Sequence, residues 1–411
     1  MKRIYASMDI GTDTIKIVVT ELYKNKLNLL AATSSPSKGI KKGLITDIDD
    51  AKDSVRAALF KIEDMLGFPL KRLIVTIPSY FAEFNIVTAE VPILNEEKIV
   101  TGNEVVQVVN EALKKEIDPL REIVTILPID FKVGEQITQE PKGLYGNTLY
   151  VRAVLVTTPK KNVYSVVGLL ETMGVEVTEI SLGSIGDIYA FKNKKTFEQI
   201  GVVINIGSQT TTVSILNKGI VIRNSILQLG GENIDSDIAY IYKTDLETAR
   251  HLKENFAMAH KNYASTTEIR EITNRLEETV RVNQLELSEI VSSRIEQILN
   301  LAKKEINGLA KRPIDYIIVT GGTSNIPYFD RITEEVLGSS ATVGQMKLIG
   351  IRNNKYSSCL GNIVYFIYKL KLKGKNYTMI SESDEEIVSS NKKNTVNELR
   401  IWKAYKSFLS E

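Results

Sequence analysis

With 411 residues, 43% of them apolar, the chain is long enough for two or three domains with sizeable cores. A formal net charge of +2 gives no whole-protein electrostatic case for a nucleic-acid partner. One cysteine, Cys359, excludes an internal disulfide, and two histidines without a His-x-x-x-His pairing, His251 and His260, argue against a transition-metal centre.

The first residues lead straight into a strand with no signal-peptide core. No uncharged apolar run approaches the ~18 residues of a membrane span, so any membrane contact is expected from one side. Residues 3–30 read as two or three strands of a meander, broken by Met8-Asp9-Ile10-Gly11-Thr12-Asp13-Thr14. A basic turn, Lys38-Gly39-Ile40-Lys41-Lys42-Gly43, precedes helical spacing over 49–67 (Val55, Leu59, Ile62, Leu66) and a buried strand over 72–78. From 79 to 156 the pattern changes: short strands at 84–91, 123–133 and 148–156 surround one helix at 104–116, as in a small α+β insert.

A helix at 157–173, a strand at 175–182 and a short helix at 184–192 follow. The apolar run Ile200-Gly201-Val202-Val203-Ile204 then meets the turn Asn205-Ile206-Gly207-Ser208-Gln209-Thr210-Thr211 and a second apolar run. This repeats the shape of the first turn, an acid or amide followed by Ile, Gly and hydroxyls between two strands. The repetition suggests two halves of one phosphate clamp, in which small residues let backbone N–H groups approach phosphate oxygens. A strand at 223–229 leads into Gly230-Gly231-Glu232-Asn233 and a helix. Residues 245–310 read as mostly helical. A strand at 314–319 ends in Thr320-Gly321-Gly322-Thr323-Ser324-Asn325-Ile326, which opens a helix and so suits phosphate or ribose oxygens. A final apolar helix spans 356–372. Residues 374–395 lose all pattern, with an acidic run at 382–386 that reads as solvated charge in a flexible linker.

At 396–411 order returns. Ile401, Trp402, Tyr405, Phe408 and Leu409 recur at helical spacing as one apolar face, and Arg400, Lys403 and Lys406 fall opposite. Such a helix can lie in a lipid interface with its cations near anionic headgroups; the plainer alternative is a terminal helix packed on the body.

Any one glycine turn is most simply an ordinary tight turn. Three in the order strand-hairpin, strand-hairpin, strand-helix resemble the superfamily of actin, the heat-shock chaperones and the sugar kinases. The stretch Ser35-Pro36-Ser37-Lys38-Gly39-Ile40-Lys41-Lys42-Gly43, Leu229-Gly230-Gly231-Glu232-Asn233-Ile234 and the placement of the insert are together similar to the FtsA family of bacterial cell-division actin homologues. The resemblance implies an α/β, actin-like two-domain ATPase fold with ribonuclease H-like cores. It implies subdomain 1A over 1–78, 157–198 and 355–373, the insert, 1C, over 79–156, subdomain 2A over 199–231 and 308–354, and 2B over 232–307. A linker over 374–395 and a membrane-targeting helix over 396–411 would follow.

By the same resemblance the cofactors are ATP and Mg²⁺. Asp9 would organise the hydrated ion, and Gly11 and Thr12 would hold terminal phosphate oxygens. Gly207, Ser208, Thr210 and Thr211 would grip the phosphates from the other side. Gly230, Gly231 and Asn233 would lie near phosphates and ribose, Gly321, Gly322 and Thr323 under the adenosine, and Lys253 with Glu247 at the ribose or adenine edge. The second motif departs from the family pattern, opening with Asn205 instead of Asp, which removes a negative charge near the metal and predicts slow or absent hydrolysis. Arg250 stands where relatives carry Glu. Asp187, where relatives carry small residues, reads as a capping or solvated acid before it reads as a water-orienting one.

The partners implied are the C-terminal tail of the tubulin-like FtsZ, met at Arg294 on subdomain 2B, further copies of the chain in filaments, an anionic membrane surface, and other division proteins through 1C. The implied location is the inner face of the cell membrane at the division site. A sugar-kinase-like phosphotransferase and a PilM-type pilus scaffold are the alternatives of the same superfamily.

Overall fold

Two runs rich in aliphatic and β-branched residues, Arg3–Ile10 and Thr14–Tyr23, pair antiparallel and finish with Ile10 opposite Ile15. In the computed structural model, which describes residues 2–193, 196 and 198–380, Lys26–Pro36 joins this pair antiparallel on one side. Arg72–Ile77 and then Glu176–Leu182 add parallel on the other. Parallel neighbours need a crossover, and the helices Ile48–Leu66 and Lys160–Glu171 lie in those connections. Asp47 caps the first by accepting from the Asp50 amide, and Gly67 ends it in a left-handed conformation.

The same order recurs in the second half. Ile220–Leu227, Thr211–Asn217 and Ile200–Ile206 are antiparallel, then Tyr316–Thr320 and Ala341–Val343 add parallel. The first core gathers Tyr5, Met8, Ile17, Ile62 and Leu73 and is joined by Val203, Leu216, Ile220 and Val221 of the second sheet, which also buries Val202, Ile204 and Val319 with Ile295 and Ile298 in a core of its own. The expected α/β architecture of two like-wound halves is what forms.

The insert has a third core. A four-stranded sheet orders Glu83–Pro92, Thr148–Pro159, Arg121–Val133 and Gln136–Thr138, and the helix Gly102–Ala112 packs Val105 and Val108 with Phe131 and Leu149. This helix is shorter than the expected 104–116. A capping box between Thr101 and Glu104 starts it, and the charged run after Leu113 has no apolar face to bury.

The expectation of mostly helical structure over 245–310 holds in part. Leu246–Asn255 and Gln284–Leu309 are helices, but between them lies an antiparallel hairpin, Ile269–Thr273 with Thr279–Asn283. Ile272, Val280 and Val282 pack on the second core while their neighbours face water, a period of two that charged residues in the strands disguise. The linker also begins later than 374. The Met379 amide donates to the Ile4 carbonyl (2.9 Å), the Ile4 amide donates to Thr378 Oγ1 (3.1 Å), and Met379 and Ile380 are buried. The residues expected to meet the membrane, Arg400, Ile401, Trp402, Lys403, Tyr405, Lys406, Phe408 and Leu409, lie outside the described residues, among which no helix is long and apolar enough to cross a membrane.

Between the lobes, the helices Gly183–Phe191 and Ser357–Lys373 cross at Gly186 and Gly361. A Cβ on Gly361 would sit 1.6 Å from the Gly186 carbonyl oxygen, so only hydrogen fits.

Candidate functional site

The two lobes present matching hairpin loops. In the first, the Gly11 amide donates to the Thr14 carbonyl (3.2 Å); in the second, the Gly207 amide donates to the Thr210 carbonyl (2.9 Å). The ladders stop at Ile10–Ile15 and Ile206–Thr211, which leaves the amides of Thr12, Asp13, Ser208 and Gln209 outside strand pairing. Both loops line one cavity of about 660 Å³ between the lobes, the size of a small-molecule site.

Asp9 and Lys16 are paired across the first hairpin, and a four-residue loop therefore sets them side by side: Lys16 Nζ lies 3.0 Å from Asp9 Oδ2. Burial works against the ammonium, but the Asp9 charge and hydrogen bond outweigh it and hold Lys16 above the ordinary lysine range. The cavity thus has a fixed cation beneath a turn of free amides, an arrangement that suits a polyanion.

On the other side, Asn205 Nδ2 donates to Asp187 Oδ2 (2.6 Å), and the hydroxyls of Ser357 and Ser358 donate to Asp187 Oδ1 (2.6 and 2.8 Å). Asp187 is 2% exposed yet lines the cavity. It neither caps a helix nor faces bulk water, which corrects the simpler sequence reading. Burial pushes its carboxyl up to about 6, and the nearby Asp9 charge adds to this against the three hydrogen bonds.

At the far end, Gly321 adopts φ +96°, where a Cβ would meet Asn205 Oδ1 and the Ile206 carbonyl at 2.5 Å. Lys253 Nζ lies 2.7 Å from Asp235 Oδ1 and donates to the Gly231 carbonyl at 3.1 Å. Burial raises the Asp235 carboxyl, opposed by Lys253 and Arg250.

Of the sixteen residues expected to meet nucleotide, Asp9, Gly11, Thr12, Asn205, Gly207, Ser208, Thr210, Gly231, Lys253, Gly321, Gly322 and Thr323 line the cavity. Thr211 instead donates its hydroxyl to the Leu229 carbonyl (2.8 Å), and Gly230 donates its amide to Asn233 Oδ1 (2.9 Å), so these three shape the glycine loop. Glu247 is exposed and outside the cavity: six positions along one helix set it about 120° round from Lys253. Sequence reasoning missed Lys16, Glu254 and Lys355, which also line the cavity. The signal for Lys16 was present, because the hairpin register alone pairs position 16 with position 9.

Among the described residues no cluster of three or more His, Cys, Asp or Glu could hold a metal by itself. Asp9 and Asp187 both face the cavity, and two hard oxygen donors suit Mg²⁺ held through water and ligand phosphates.

A second hollow, of about 580 Å³, lies between the helices Gly231–Tyr242 and Gln284–Leu309. Arg294 lines it and forks onto Asp237, Nε to Oδ2 at 2.6 Å and Nη2 to Oδ1 at 2.7 Å. Tyr240 and Ile241 are exposed at its rim, 85% and 52% respectively.

Comparison with known proteins gives concordant matches. The family model described as "Cell division protein FtsA" matches residues 202–361, and that described as "SHS2 domain inserted in FTSA" matches 83–157. The cell division protein FtsA of Bacillus subtilis (strain 168) is 30% identical over 396 residues, covering 94% of this chain and 89% of the relative. That of Streptococcus pneumoniae serotype 2 is 30% identical over 358 residues, covering 86% and 78%. Among solved structures, the PilM-PilN type IV pilus biogenesis complex is similar with a TM-score of 0.58 at 14% identity, covering 88% of this chain and 98% of the other. MreB5 of Spiroplasma citri bound to ADP gives 0.53 at 13%, covering 90% and 98%. These likenesses show the actin-like fold.

Proposed function

Because this chain belongs to the FtsA family of cell division proteins, we propose that it is an ATP-binding, actin-like scaffold that tethers FtsZ filaments to the inner face of the cell membrane. The observation that carries the nucleotide reading is the pair of four-residue hairpin loops, Gly11–Thr14 and Gly207–Thr210, facing one cavity over the Lys16 ammonium. A nucleotide-bound relative of the same fold, MreB5 of Spiroplasma citri with ADP, supports it.

In this reading the triphosphate lies between the hairpins. The amides of Thr12 and Asp13, the Thr12 hydroxyl and Lys16 bind from one lobe, with Ser208 and Thr210 from the other. Mg²⁺, when bound, would neutralise phosphate charge, and Asp9 and Asp187 would hold its water. Gly322 leaves room for the nucleoside, since a Cβ there would meet nothing nearer than 3.8 Å. With Asn205 neutral, slow hydrolysis is expected.

The FtsZ tail is assigned to the hollow beside Arg294. Asp237 holds the guanidinium in place, so a tail carboxylate can join it from the open side while Tyr240 and Ile241 take an apolar residue. The membrane is assigned to residues 396–411, from the sequence pattern of Ile401, Trp402, Tyr405, Phe408 and Leu409. Filaments, by holding many such segments together, would multiply a modest affinity.

Co-sedimentation with anionic vesicles tests the whole reading. Full-length protein is expected to pellet, to pellet more with ATP, and to bring FtsZ with it. A chain ending at 395 should stay in solution, and Arg294→Glu should pellet without FtsZ. Vesicle binding that survives the truncation removes the anchor, and FtsZ recruitment by Arg294→Glu removes the tail site.

A further inference from the structure

The phosphate hairpin of the second lobe begins with a neutral residue, Asn205, yet the place beside it is not without a carboxylate. Asp187 comes from a different element, the crossing helix Gly183–Phe191, and its Oδ2 lies 2.6 Å from the Asn205 amide nitrogen. Its other oxygen takes two serine hydroxyls from the start of the helix Ser357–Lys373. All three partners are neutral, and among the described residues Asp187 enters no ion pair. A buried carboxylate held ready by neutral donors and open to the cavity lacks a cation.

We propose that the carboxylate of this cleft has changed places: Asp187 supplies the second negative charge for the divalent cation that accompanies the nucleotide, and Asn205 positions it. The inference rests on the nucleotide reading above. Asp187 acts on the ion through water, as its full complement of hydrogen bonds at Oδ1 leaves Oδ2 the freer oxygen. The two serines fix the rotamer, so the charge points at the cavity without searching for it. Asn205 can donate to Asp187 only because it is an amide; an aspartate there would set two like charges side by side. The pair therefore keeps one charge beside the hairpin while moving its source to the helix crossing.

A purely structural role would make Asp187 a polar staple between the crossing helices, with nothing to do with the ion. The test is the ratio of ATP affinities with Mg²⁺ and with EDTA, measured by titrating a fluorescent ATP analogue in the full-length protein. Asp187→Asn is expected to lower that ratio by roughly tenfold. The exchange variant, Asp187→Asn with Asn205→Asp, is expected to restore it to within about threefold. A ratio within about twofold of the parent in Asp187→Asn overturns the proposal, as does an exchange variant that folds but does not recover. Should Asp187→Asn not fold, a crystal structure of the unaltered protein with Mg²⁺ and a non-hydrolysable ATP analogue decides: a water of the ion hydrogen-bonded to Asp187 is expected, and its absence overturns the assignment. If the unaltered protein binds no ATP under either condition, the nucleotide reading itself fails, and this inference with it.

Discussion

Arg250 spans the cleft to Asp13: its Nη1 lies 2.5 Å from Asp13 Oδ1 in the first hairpin loop, and its Nε lies 3.6 Å from Asp235 beneath its own helix. The residue that sequence reading treated as a misfit at the nucleoside edge is thus a link between lobes. If the cleft takes nucleotide as proposed, opening it to admit or release that ligand has to break this link. Both side chains of the pair are about a third exposed, so the contact is screened and worth on the order of 0.5–1 kcal/mol. We predict that Arg250→Ala speeds release of a fluorescent ATP analogue by roughly two- to fivefold, and that added salt narrows the difference. Stopped-flow displacement measures both; equal release rates at low salt would remove the link from the mechanism.

Lys16 is fixed directly under the Gly11 loop by an acid of its own hairpin, with Asp9 Oδ2 at 3.0 Å. Charge-assisted bonds of this kind are worth about 1.5–3 kcal/mol, so Lys16→Met is predicted to weaken ATP binding by roughly ten- to a hundredfold. The same change strips Asp9 of its partner and should lower the melting temperature of the nucleotide-free protein. Titration and thermal unfolding check the two effects separately. An affinity within twofold of the parent contradicts the placement of the phosphates over this hairpin.

What the sequence disclosed follows from the range of the interactions involved. Both hairpins were legible because the residues that define them are neighbours in the chain: a glycine and hydroxyls flanked by strands. The insert was legible because its core pattern breaks from what surrounds it. The partnership of Asp187 with Asn205, Ser357 and Ser358 was not, because it joins segments up to 171 positions apart that meet only where two helices cross. The hairpin at 269–283 was missed because Glu271 and Arg281 pair on its open face while Arg270, opposite Val282, shares the inner face with Ile272 and packs over the Phe256 ring, so charge on both faces masks the alternation of Ile272, Val280 and Val282. Glu247 was assigned to the site by resemblance alone, and it stands exposed, outside the cavity and about 120° round the helix from Lys253.

The helix crossing gives a packing prediction. Gly361 meets the Gly186 carbonyl so closely that a methyl group would force the helices Gly183–Phe191 and Ser357–Lys373 apart. Gly361→Ala is predicted to cost at least about 2 kcal/mol and to loosen the site, because the Asp187 hydrogen bonds bridge the same two helices. Gly168→Ala is the control: it lies inside the helix Lys160–Glu171 with nothing within 4 Å of a new Cβ. That change should stabilise by roughly 0.5–1 kcal/mol. Thermal unfolding of both variants, with equal shifts of the same sign, would refute the tight crossing.

Burial of Asp187 predicts how stability depends on pH. In the unfolded chain this carboxyl has its ordinary value near 3.8, and in the fold it is pushed up to about 6. Between those values the folded state holds a proton that the unfolded chain has released. The contribution of Asp187 to stability is therefore fully present below the lower value and is lost as pH rises through the upper one. At about 1.36 kcal/mol per pKa unit the loss amounts to roughly 3 kcal/mol. Asp187→Asn carries no such titration. Its melting temperature relative to the parent should climb between pH 4 and pH 6 and then level off, when both are measured without nucleotide and in EDTA, on the scale of those two pKa values. Divalent cation and ATP should reverse the trend for the parent alone, since the ionised carboxylate then has a positive charge nearby. A difference in melting temperature that stays flat across this range would mean that the carboxyl keeps its ordinary value in the fold.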